Sequence, residues 1–260
     1  MDLNMLILPR YDRLGASSRL RMLQYLPHLK RHGLQSDVAP LFSAEYLTNL
    51  YAGTSTRKSG LRAYFRRLFQ LRAARGAKLV WIEKEALPWV PWWLERALLP
   101  PGVPIVTDFD DAVFHRYDLH NSALVKQILG KKIDSVMAGS ALVIAGNNYL
   151  AERARAAGSP WVEIVPTVVD VDHYKVRPQP DPSKPATLGW IGSPSTWQEY
   201  LLPMMSMLTK VTNSANARII LVGAGAKAAD NPLVDAFPWT EETEVARIQD
   251  MDIGIMPLTD

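Results

Sequence analysis

The residues Gly192-Ser193-Pro194-Ser195-Thr196 combine a glycine with a run of hydroxyl side chains. They follow the apolar run 188–191 and precede a segment with helical spacing, which is typical of a strand that ends before a helix begins. The first amides of a helix have no intrahelical partner and the helix dipole is positive there, so this turn is suited to an anion such as phosphate. The same residues are also ordinary turn and N-cap residues, and both interpretations stay open.

Carboxylates follow two other predicted strands. Glu83 comes after one strand, and Asp108, Asp110 and Asp111 come at the end of the next. Like charges placed together raise one another's pKa, and such clusters serve as acid–base groups or cation sites. The alternative is a capping role for Asp110 or Asp111 at the start of the following helix. No helical spacing of histidine and aspartate ligands accompanies them, so we expect no metal site.

The elements that position these groups alternate between strand and helix. Apolar runs predict strands at residues 5–8, 78–82, 104–107, 141–145, 161–165, 187–191, 217–222, 234–237 and 253–257. Helical spacing of apolar residues is found at residues 20–33, 124–137, 149–157, 196–211 and 241–249. This alternation predicts an α/β fold with doubly wound parallel sheets.

The loop after the first strand contains Gly15, Ser17, Ser18 and Arg19 and precedes the first helix. One interpretation is a loop that lies near a phosphate or an acceptor. The other is a simple strand-to-helix turn in which Ser17 or Ser18 is the N-cap. The loop lacks the G-x-G-x-x-G spacing of dinucleotide-binding proteins.

The proline-rich segment 173–186 predicts a linker, which leaves residues 1–172 as an N-terminal domain and 187–260 as a C-terminal domain. In the second domain, Gly223 and Gly225 fit the dinucleotide pattern G-x-G-x-x-A. That pattern belongs after the first strand of its domain, whereas here it follows the second. A nicotinamide-dependent oxidoreductase is therefore an alternative that depends on these glycines alone.

A basic stretch at residues 57–78 lies in a region without any acidic residue between Glu45 and Glu83. Its basic side chains are Arg57, Lys58, Arg62, Arg66, Arg67, Arg72, Arg75 and Lys78. The apolar residues that recur among them at helical spacing are Leu61, Tyr64, Phe65, Leu68 and Leu71. A basic amphipathic helix of this kind binds anionic membrane surfaces. The alternative is the solvated face of a core helix, with arginine stems covering apolar surface.

The composition excludes several classes of protein. The 260 residues fit one large or two modest domains, and the net charge of +3 does not by itself indicate a nucleic-acid partner. The chain has no cysteine, which excludes disulfides and thiolate metal sites. It has no apolar stretch of about 18 residues and no basic signal-peptide region at its start. We expect a cytoplasmic protein, peripheral at the membrane if residues 57–78 bind lipid.

Four segments, taken in chain order, resemble the retaining glycosyltransferases of the GT-B fold, the group that contains bacterial mannosyltransferases and sucrose synthases. Residues 164–174 resemble the motif viPNGVDxxxF, with Thr167 and Val168 in place of Asn-Gly. The other three are the strand and loop 188–196, the lvGxG-like stretch 219–225 and the aDvgimPl-like stretch 252–258.

The resemblance implies two Rossmann-like doubly wound domains, the first binding a glycan, lipid or other acceptor and the second a UDP- or GDP-sugar. It implies a hexosyltransferase-type enzyme that needs no cofactor besides the donor. The implied donor-binding residues are Gly192, Ser193, Ser195, Thr196, Gly223, Gly225, Trp239 and Thr240. Glu83 and Asp110 are the implied catalytic residues, facing the sugar or acceptor as glycosidase carboxylates do.

Two departures from the family pattern change the expectation for activity. Ser193 and Gln198 stand where relatives often carry a phosphate-binding arginine and lysine. The sequence stops at Asp260, before the positions of the family's acidic pair and final helix, so the resemblance leads us to expect an incomplete second domain. We therefore expect weak or absent sugar transfer by these residues. A non-catalytic α/β protein that binds nucleotide or regulates another protein is the alternative.

Overall fold

The computed structural model describes residues 3–177, 183–225, 228 and 234–257. The chain divides into two compact units, Met1–Leu47 with Ser55–Val169 and Thr48–Thr54 with Asp170–Asp260. Residues 178–182 of the predicted linker lie outside the described residues. Within the described ranges, every helix is too short or too polar to cross a membrane.

The first unit contains a six-stranded parallel sheet in the order β2-β1-β3-β4-β5-β6. Its strands are β1 (Leu3–Leu8), β2 (Leu34–Val38), β3 (Leu79–Glu83), β4 (Ile105–Phe109), β5 (Leu142–Ala145) and β6 (Val162–Ile164). Because β2 and β3 lie on opposite sides of β1, the strand order reverses there. Ligands of open parallel sheets bind beyond the carboxyl ends of strands at such a reversal.

The helices that connect these strands are α1 (Ala16–Arg21), α2 (Leu26–Arg31), α3 (Ala44–Tyr51), α4 (Arg57–Ala73), α5 (Trp92–Leu98), α6 (His115–Asp118), α7 (Ala123–Leu129), α8 (Lys132–Ala138) and α9 (Asn148–Ala156). Side chains of β3 alternate between two cores, as the strand period of two requires. Val80 and Ile82 pack with Leu71 of α4, whereas Trp81 packs with Ile7 and Met22. Both faces of the sheet are therefore covered, which explains why the strands read as continuous apolar runs.

The second unit contains a four-stranded parallel sheet in the order β10-β7-β8-β9. Its strands are β7 (Thr187–Ile191), β8 (Arg218–Val222), β9 (Val234–Phe237) and β10 (Ile253–Gly254), and its helices are α10 (Pro194–Thr196), α11 (Met205–Ala215) and α12 (Glu241–Gln249). Trp190 and Trp197 pack in its core with ring centroids 6.3 Å apart. The strand order reverses at β7, so the turn after β7 lies at the reversal. Two parallel sheets, the second smaller, confirm the predicted α/β fold class.

Candidate functional site

The turn after β7 is held by a capping box at the start of α10. The Ser193 hydroxyl accepts a hydrogen bond from the Thr196 amide at 3.3 Å, and the Ser193 amide donates to Thr196 Oγ1 at 2.9 Å. Such caps stabilise a helix start by about 1 kcal/mol. The capping interpretation of Ser193 and Thr196 therefore describes their local role.

Most backbone amides of this turn are already bonded within the protein. The Gly192 amide donates to the Val222 carbonyl at 3.0 Å, and the amides of Ser193 and Thr196 belong to the capping box. Pro194 has no amide hydrogen. A ligand therefore meets the Ser195 amide and the hydroxyls of Ser193 and Ser195, which lie 2.9 Å apart. The sequence predicts a phosphate held by a row of backbone amides, but in the structure only these three groups remain available to hold it.

Three loops meet at the carboxyl edge of the second sheet. Gly223 has a φ of +81°, and a Cβ built on it would overlap the carbonyl oxygen of Gly192. The same Cβ would lie 3.2 Å from the Cβ of Trp239, and one built on Gly225 would lie 3.3 Å from Pro194. The loop after β8 thus packs backbone against backbone on the turn after β7. The structure brings together these predicted donor-binding glycines and Trp239.

Trp239 is fixed by a carboxylate that sequence reasoning did not single out. Its indole nitrogen donates to Glu244 Oε2 at 3.1 Å, and the Tyr174 hydroxyl donates to Glu244 Oε1 at 3.0 Å. Thr240 is the N-cap of α12, where its hydroxyl accepts from the Thr243 amide at 3.2 Å. A hint of this role exists in the sequence, because the indole N–H of Trp239 and the hydroxyl of Tyr174 each need a hydrogen-bond partner when the rings are packed.

Glu83 lies at the carboxyl end of β3, beside the strand reversal of the first sheet. Its Oε2 accepts the Arg10 amide at 2.7 Å and the Ser18 hydroxyl at 2.5 Å. The side chain is only 2 % exposed, and its Oε1 has no hydrogen-bond partner. Burial raises the pKa of Glu83, although Lys84 and these two hydrogen bonds act against the rise. Glu83 therefore ties the loop after β1 to β3.

Asp110 is more accessible than Glu83 and carries its own counter-ion. Lys84 Nζ lies 2.7 Å from Asp110 Oδ1 and 2.9 Å from Asp111 Oδ2. Burial acts to raise the pKa of Asp110, but the charge of Lys84 together with hydrogen bonds from Lys84, Ser17 and the backbone outweighs it, and the pKa is lowered. Lys84 has a φ of +63°, a left-handed conformation that non-glycine residues rarely adopt and that clusters at functional sites. Neither aspartate caps a helix, because the next helix, α6, begins only at His115 after Phe114.

The loop after β1 uses its small residues for packing. The N-cap of α1 is Gly15, with no side-chain cap, so the expectation that Ser17 or Ser18 caps this helix is wrong. A Cβ on Gly15 would lie 2.5 Å from Tyr11, which is why glycine fits there. Ser18 is buried on Glu83, and a Ser17 hydrogen bond helps to lower the pKa of Asp110. Arg19 is also buried and donates to the carbonyl of Arg13 at 3.1 Å.

A buried ion network beneath this edge was not expected from the sequence. Lys132 Nζ lies 2.6 Å from Glu85 Oε2 and 3.0 Å from Glu95 Oε2, and it donates to the Leu87 carbonyl at 2.6 Å. The Tyr117 hydroxyl donates to Glu85 at 2.9 Å. Because Lys132 is 47 residues from Glu85 along the chain, no local spacing could have paired them.

Two of the predicted site groups are thus assembled, one at the carboxyl edge of each sheet. The described residues hold no cluster of three or more histidine or acidic side chains arranged for a metal ion. The first edge presents Asp110 with Lys84, an ion pair able to orient hydroxyl groups. The second presents hydroxyls, an amide and the Trp239 ring, which are suited to a phosphate and an aromatic base.

No protein-family model matches the chain, and no curated protein sequence matches it. Solved structures match over nearly the whole chain. An alpha-glucosyltransferase solved with UDP and a 13-mer DNA containing an HMU base has a TM-score of 0.58 at 12 % identity, covering 98 % of this chain and 72 % of that one. A putative UDP-N-acetylglucosamine 2-epimerase from Listeria monocytogenes has a TM-score of 0.56 at 7 % identity, covering 98 % and 74 %.

The glycosyltransferase SnogD from Streptomyces nogalater has a TM-score of 0.50 at 14 % identity, covering 97 % of this chain and 76 % of that one. At these identities the likeness concerns the fold and leaves substrates open. With its parallel sheets of six and four strands, the chain has the GT-B fold.

Proposed function

We propose that the chain binds a UDP- or GDP-sugar at the carboxyl edge of its second sheet and transfers the hexose, with retention, to a glycan, lipid or other acceptor. The observation that carries this proposal is the meeting of three loops at Gly192, Gly223 and Trp239, where the strand order reverses. The fold neighbour solved with UDP supports the choice of nucleotide.

The donor side supplies hydroxyls rather than a row of amides. Ser193 and Ser195 donate to phosphate oxygens, and the Trp239 ring stacks on the base while Glu244 holds its indole nitrogen. Donors that are fixed before the reaction stabilise the negative charge that develops on the departing diphosphate. Thr240 and Gly225 shape the two neighbouring loops.

In the first unit, Asp110 is the carboxylate that contacts substrate hydroxyls, since it is partly exposed and stays ionised beside Lys84. Glu83 acts through the loop after β1, because it is buried and its Oε2 accepts hydrogen bonds from Arg10 and Ser18 of that loop. The two carboxylates therefore have different proposed roles. Asp110 contacts the substrate, and Glu83 positions the loop after β1.

Calorimetric titration with UDP, GDP and NAD tests the donor proposal. We expect UDP or GDP to bind and Ser195→Glu to weaken binding at least tenfold, because a carboxylate at the turn repels the diphosphate. The matched control is Ser206→Glu, the same change on an exposed position of α11 in the same unit. Binding of NAD alone, or equal loss in both variants, would contradict the proposal.

Product analysis then separates the chemical alternatives. Incubation with UDP-glucose and a panel of acceptors should release UDP only slowly, in line with the weak transfer expected from the sequence, and any glycoside that forms should have retained configuration. Nucleotide binding without turnover would favour the non-catalytic alternative. Recovery of an epimerised nucleotide sugar would instead favour the activity named for the epimerase neighbour.

We also propose that α4 associates with the anionic cytoplasmic face of a membrane. Phe65 and Phe69 are 57 % and 73 % exposed, and Leu61 is exposed on the same face. Arg62 and Arg72 flank them, also exposed. Lipid-facing apolar residues among cations are typical of helices that lie at an anionic interface.

Only part of the basic stretch belongs to this face. Arg67 is buried and donates to the carbonyls of Ala39 at 2.8 Å and Pro9 at 3.1 Å. Tyr64 and Leu71 pack in the core. Helix α4 therefore has a core side and an exposed apolar side, and the membrane proposal concerns the exposed side alone.

Cosedimentation with phosphatidylglycerol–phosphatidylcholine vesicles tests the membrane proposal. The double change Phe65→Ser with Phe69→Ser should weaken binding at least tenfold, because each phenylalanine contributes about 1.5–3 kcal/mol when it leaves water. The control is Leu124→Ser with Ile128→Ser, another exposed apolar pair at the same helical spacing on α7. Equal loss in both variants, or no binding of the wild type at low salt, would contradict it.

A further inference from the structure

Three side chains beyond the carboxyl ends of β4 and β5 form a hydrogen-bonded series. His115 opens α6, which follows β4, and Tyr149 lies in the first turn of α9, which follows the neighbouring strand β5. His115 Nδ1 lies 2.9 Å from Asp118 Oδ1, and His115 Nε2 lies 2.8 Å from the Tyr149 hydroxyl oxygen. Both distances are those of ordinary hydrogen bonds. A carboxylate, an imidazole and a phenol are therefore joined in that order.

The carboxylate fixes the direction of these hydrogen bonds. An ionised Asp118 can only accept, so the hydrogen of a neutral His115 ring lies on Nδ1. The lone pair on His115 Nε2 then accepts the hydrogen bond that the Tyr149 hydroxyl donates. A hydroxyl, a base and a carboxylate that orients the base are the arrangement by which enzymes activate weak nucleophiles.

Packing holds the imidazole and the phenol in place but leaves them accessible. The buried Phe114 ring lies edge-on to His115, with ring centroids 4.6 Å apart, and its centroid is 5.9 Å from that of Tyr149. Tyr149 is nevertheless 54 % exposed, and the side chain of His115 is 39 % exposed. The hydrogen bond between them lies at the surface, where a reagent in solution can reach it.

The charges joined to this series favour a neutral reagent. Arg153 lies 3.2 Å from Asp118 Oδ2 and 2.6 Å from Asp134 Oδ1. These two carboxylates and one guanidinium carry one net negative charge, which repels an anionic phosphoryl donor. A neutral ester of a carboxylic acid meets no such repulsion.

We propose that Tyr149 is a nucleophile that takes an acyl group from a small neutral ester with a good leaving group. The Tyr149 oxygen forms a bond to the carbonyl carbon, and its proton passes to His115 Nε2. The bond between that carbon and the leaving oxygen breaks, and the proton on His115 is returned to the leaving group or to water. Asp118 positions His115 and does not touch the ester. None of these residues takes part in the proposed glycosyl transfer.

Acetylation of the full chain by p-nitrophenyl acetate at pH 8, located by peptide mass spectrometry, tests this site. Tyr149 should be acetylated at least tenfold faster than Tyr51, which is 43 % exposed. His115→Ala should slow acetylation of Tyr149 at least tenfold, and added imidazole should restore part of the rate by replacing the base. The matched control is His28→Ala, the same change at an exposed histidine of α2, which should leave the rate unchanged.

The positioning role of Asp118 has its own test. Asp118→Asn should slow acetylation about tenfold, and the conservative variant Asp118→Glu should recover most of the rate. Asp134→Asn removes the other carboxylate partner of Arg153 and should leave the rate unchanged. Circular dichroism checks that each variant is folded, and the wild-type comparison of Tyr149 with Tyr51 supplies the decision if one is not. Equal acetylation of these two tyrosines, or an unchanged rate in folded His115→Ala, would overturn the proposal.

Discussion

Replacing Lys132 by methionine is expected to lower the free energy of unfolding of the first unit by about 3–5 kcal/mol. Lys132 is fully buried between Glu85 and Glu95, with nitrogen–oxygen distances of 2.6 and 3.0 Å. Without the ammonium group, Glu95 loses its ion pair with Lys132, and Glu85 keeps only the more distant guanidinium groups of Arg10 and Arg116, at 3.7 and 3.8 Å. The loss is a large fraction of the stability of an ordinary domain, about 5–15 kcal/mol.

The loss of stability caused by Lys132→Met should increase as the pH rises. Burial already raises the pKa of Glu95, and Lys132 acts against that rise, so its removal raises the pKa further. A carboxyl group with a raised folded-state pKa binds more protons in the folded state than in the unfolded one, so stability falls as pH rises toward the folded pKa. The difference between variant and wild type should therefore be larger at pH 8 than at pH 5.

Urea denaturation at the two pH values measures both effects. Lys131→Met is the control, because Lys131 is the adjacent residue but is exposed. It should change the free energy of unfolding by less than about 0.5 kcal/mol. A loss below about 1 kcal/mol in Lys132→Met would show that the buried network does not stabilise the first unit.

Replacing Gly223 by alanine is expected to destabilise the second unit and to abolish nucleotide binding. A left-handed φ costs an alanine about 1–2 kcal/mol, and the overlap of its Cβ with the Gly192 carbonyl adds about 1–3 kcal/mol. Relief of that overlap must push the turn after β7 away from the loop after β8. Since the proposed donor site is the junction of these loops, UDP or GDP binding should be lost with it.

The variant Gly158→Ala is a control that separates the cost of the left-handed backbone conformation from the cost of the steric overlap. Gly158 also has a positive φ, +90°, but a Cβ there would meet nothing within 4 Å. This control should therefore show only the conformational cost and should bind nucleotide as the wild type does. Thermal denaturation and calorimetry on both variants measure the two effects. Unchanged nucleotide affinity in Gly223→Ala would show that the junction of these loops is not the nucleotide site.

The fold was largely predictable from the sequence because its central strands are buried on both faces. The predicted and observed bounds agree for two strands, 187–191 and 234–237, and for the helix 241–249. The edge strand β2 was missed, since Leu34-Gln-Ser-Asp-Val has apolar residues only at its ends and no buried residue. A lone edge strand without a buried face gives no hydrophobic pattern to detect.

Helix continuity was predicted less well than helix position. The stretch 124–137 was expected to be one helix, but it is divided into α7 and α8 around Gly130. The stretch 196–211 is likewise interrupted, by a π-helical turn at Trp197–Leu201 and a 3₁₀ turn at Leu202–Met204 that contains Pro203. Glycine and proline are the local breakers in both cases.

Of the candidate site, the sequence indicated which residues gather but not what they bond to. The three donor-side loops do meet, because the carboxyl ends of parallel strands share one edge. The counter-ion of Asp110 is Lys84, which directly follows the neighbouring strand β3, and the partner of Trp239 is Glu244. From the sequence, capping is only an alternative to phosphate binding for Ser193 and Thr196. The structure shows that the capping box is formed and that it occupies both of their amides.

The most direct test of the central claim is a UDP titration of the isotope-labelled wild-type chain, followed by amide and indole resonances. The account predicts saturable shifts centred on Ser195, Gly223, Gly225 and the Trp239 indole, with the same dissociation constant at each. Shifts confined to residues of the six-stranded sheet, or no shift at any UDP concentration, would contradict a nucleotide site at the carboxyl edge of the second sheet.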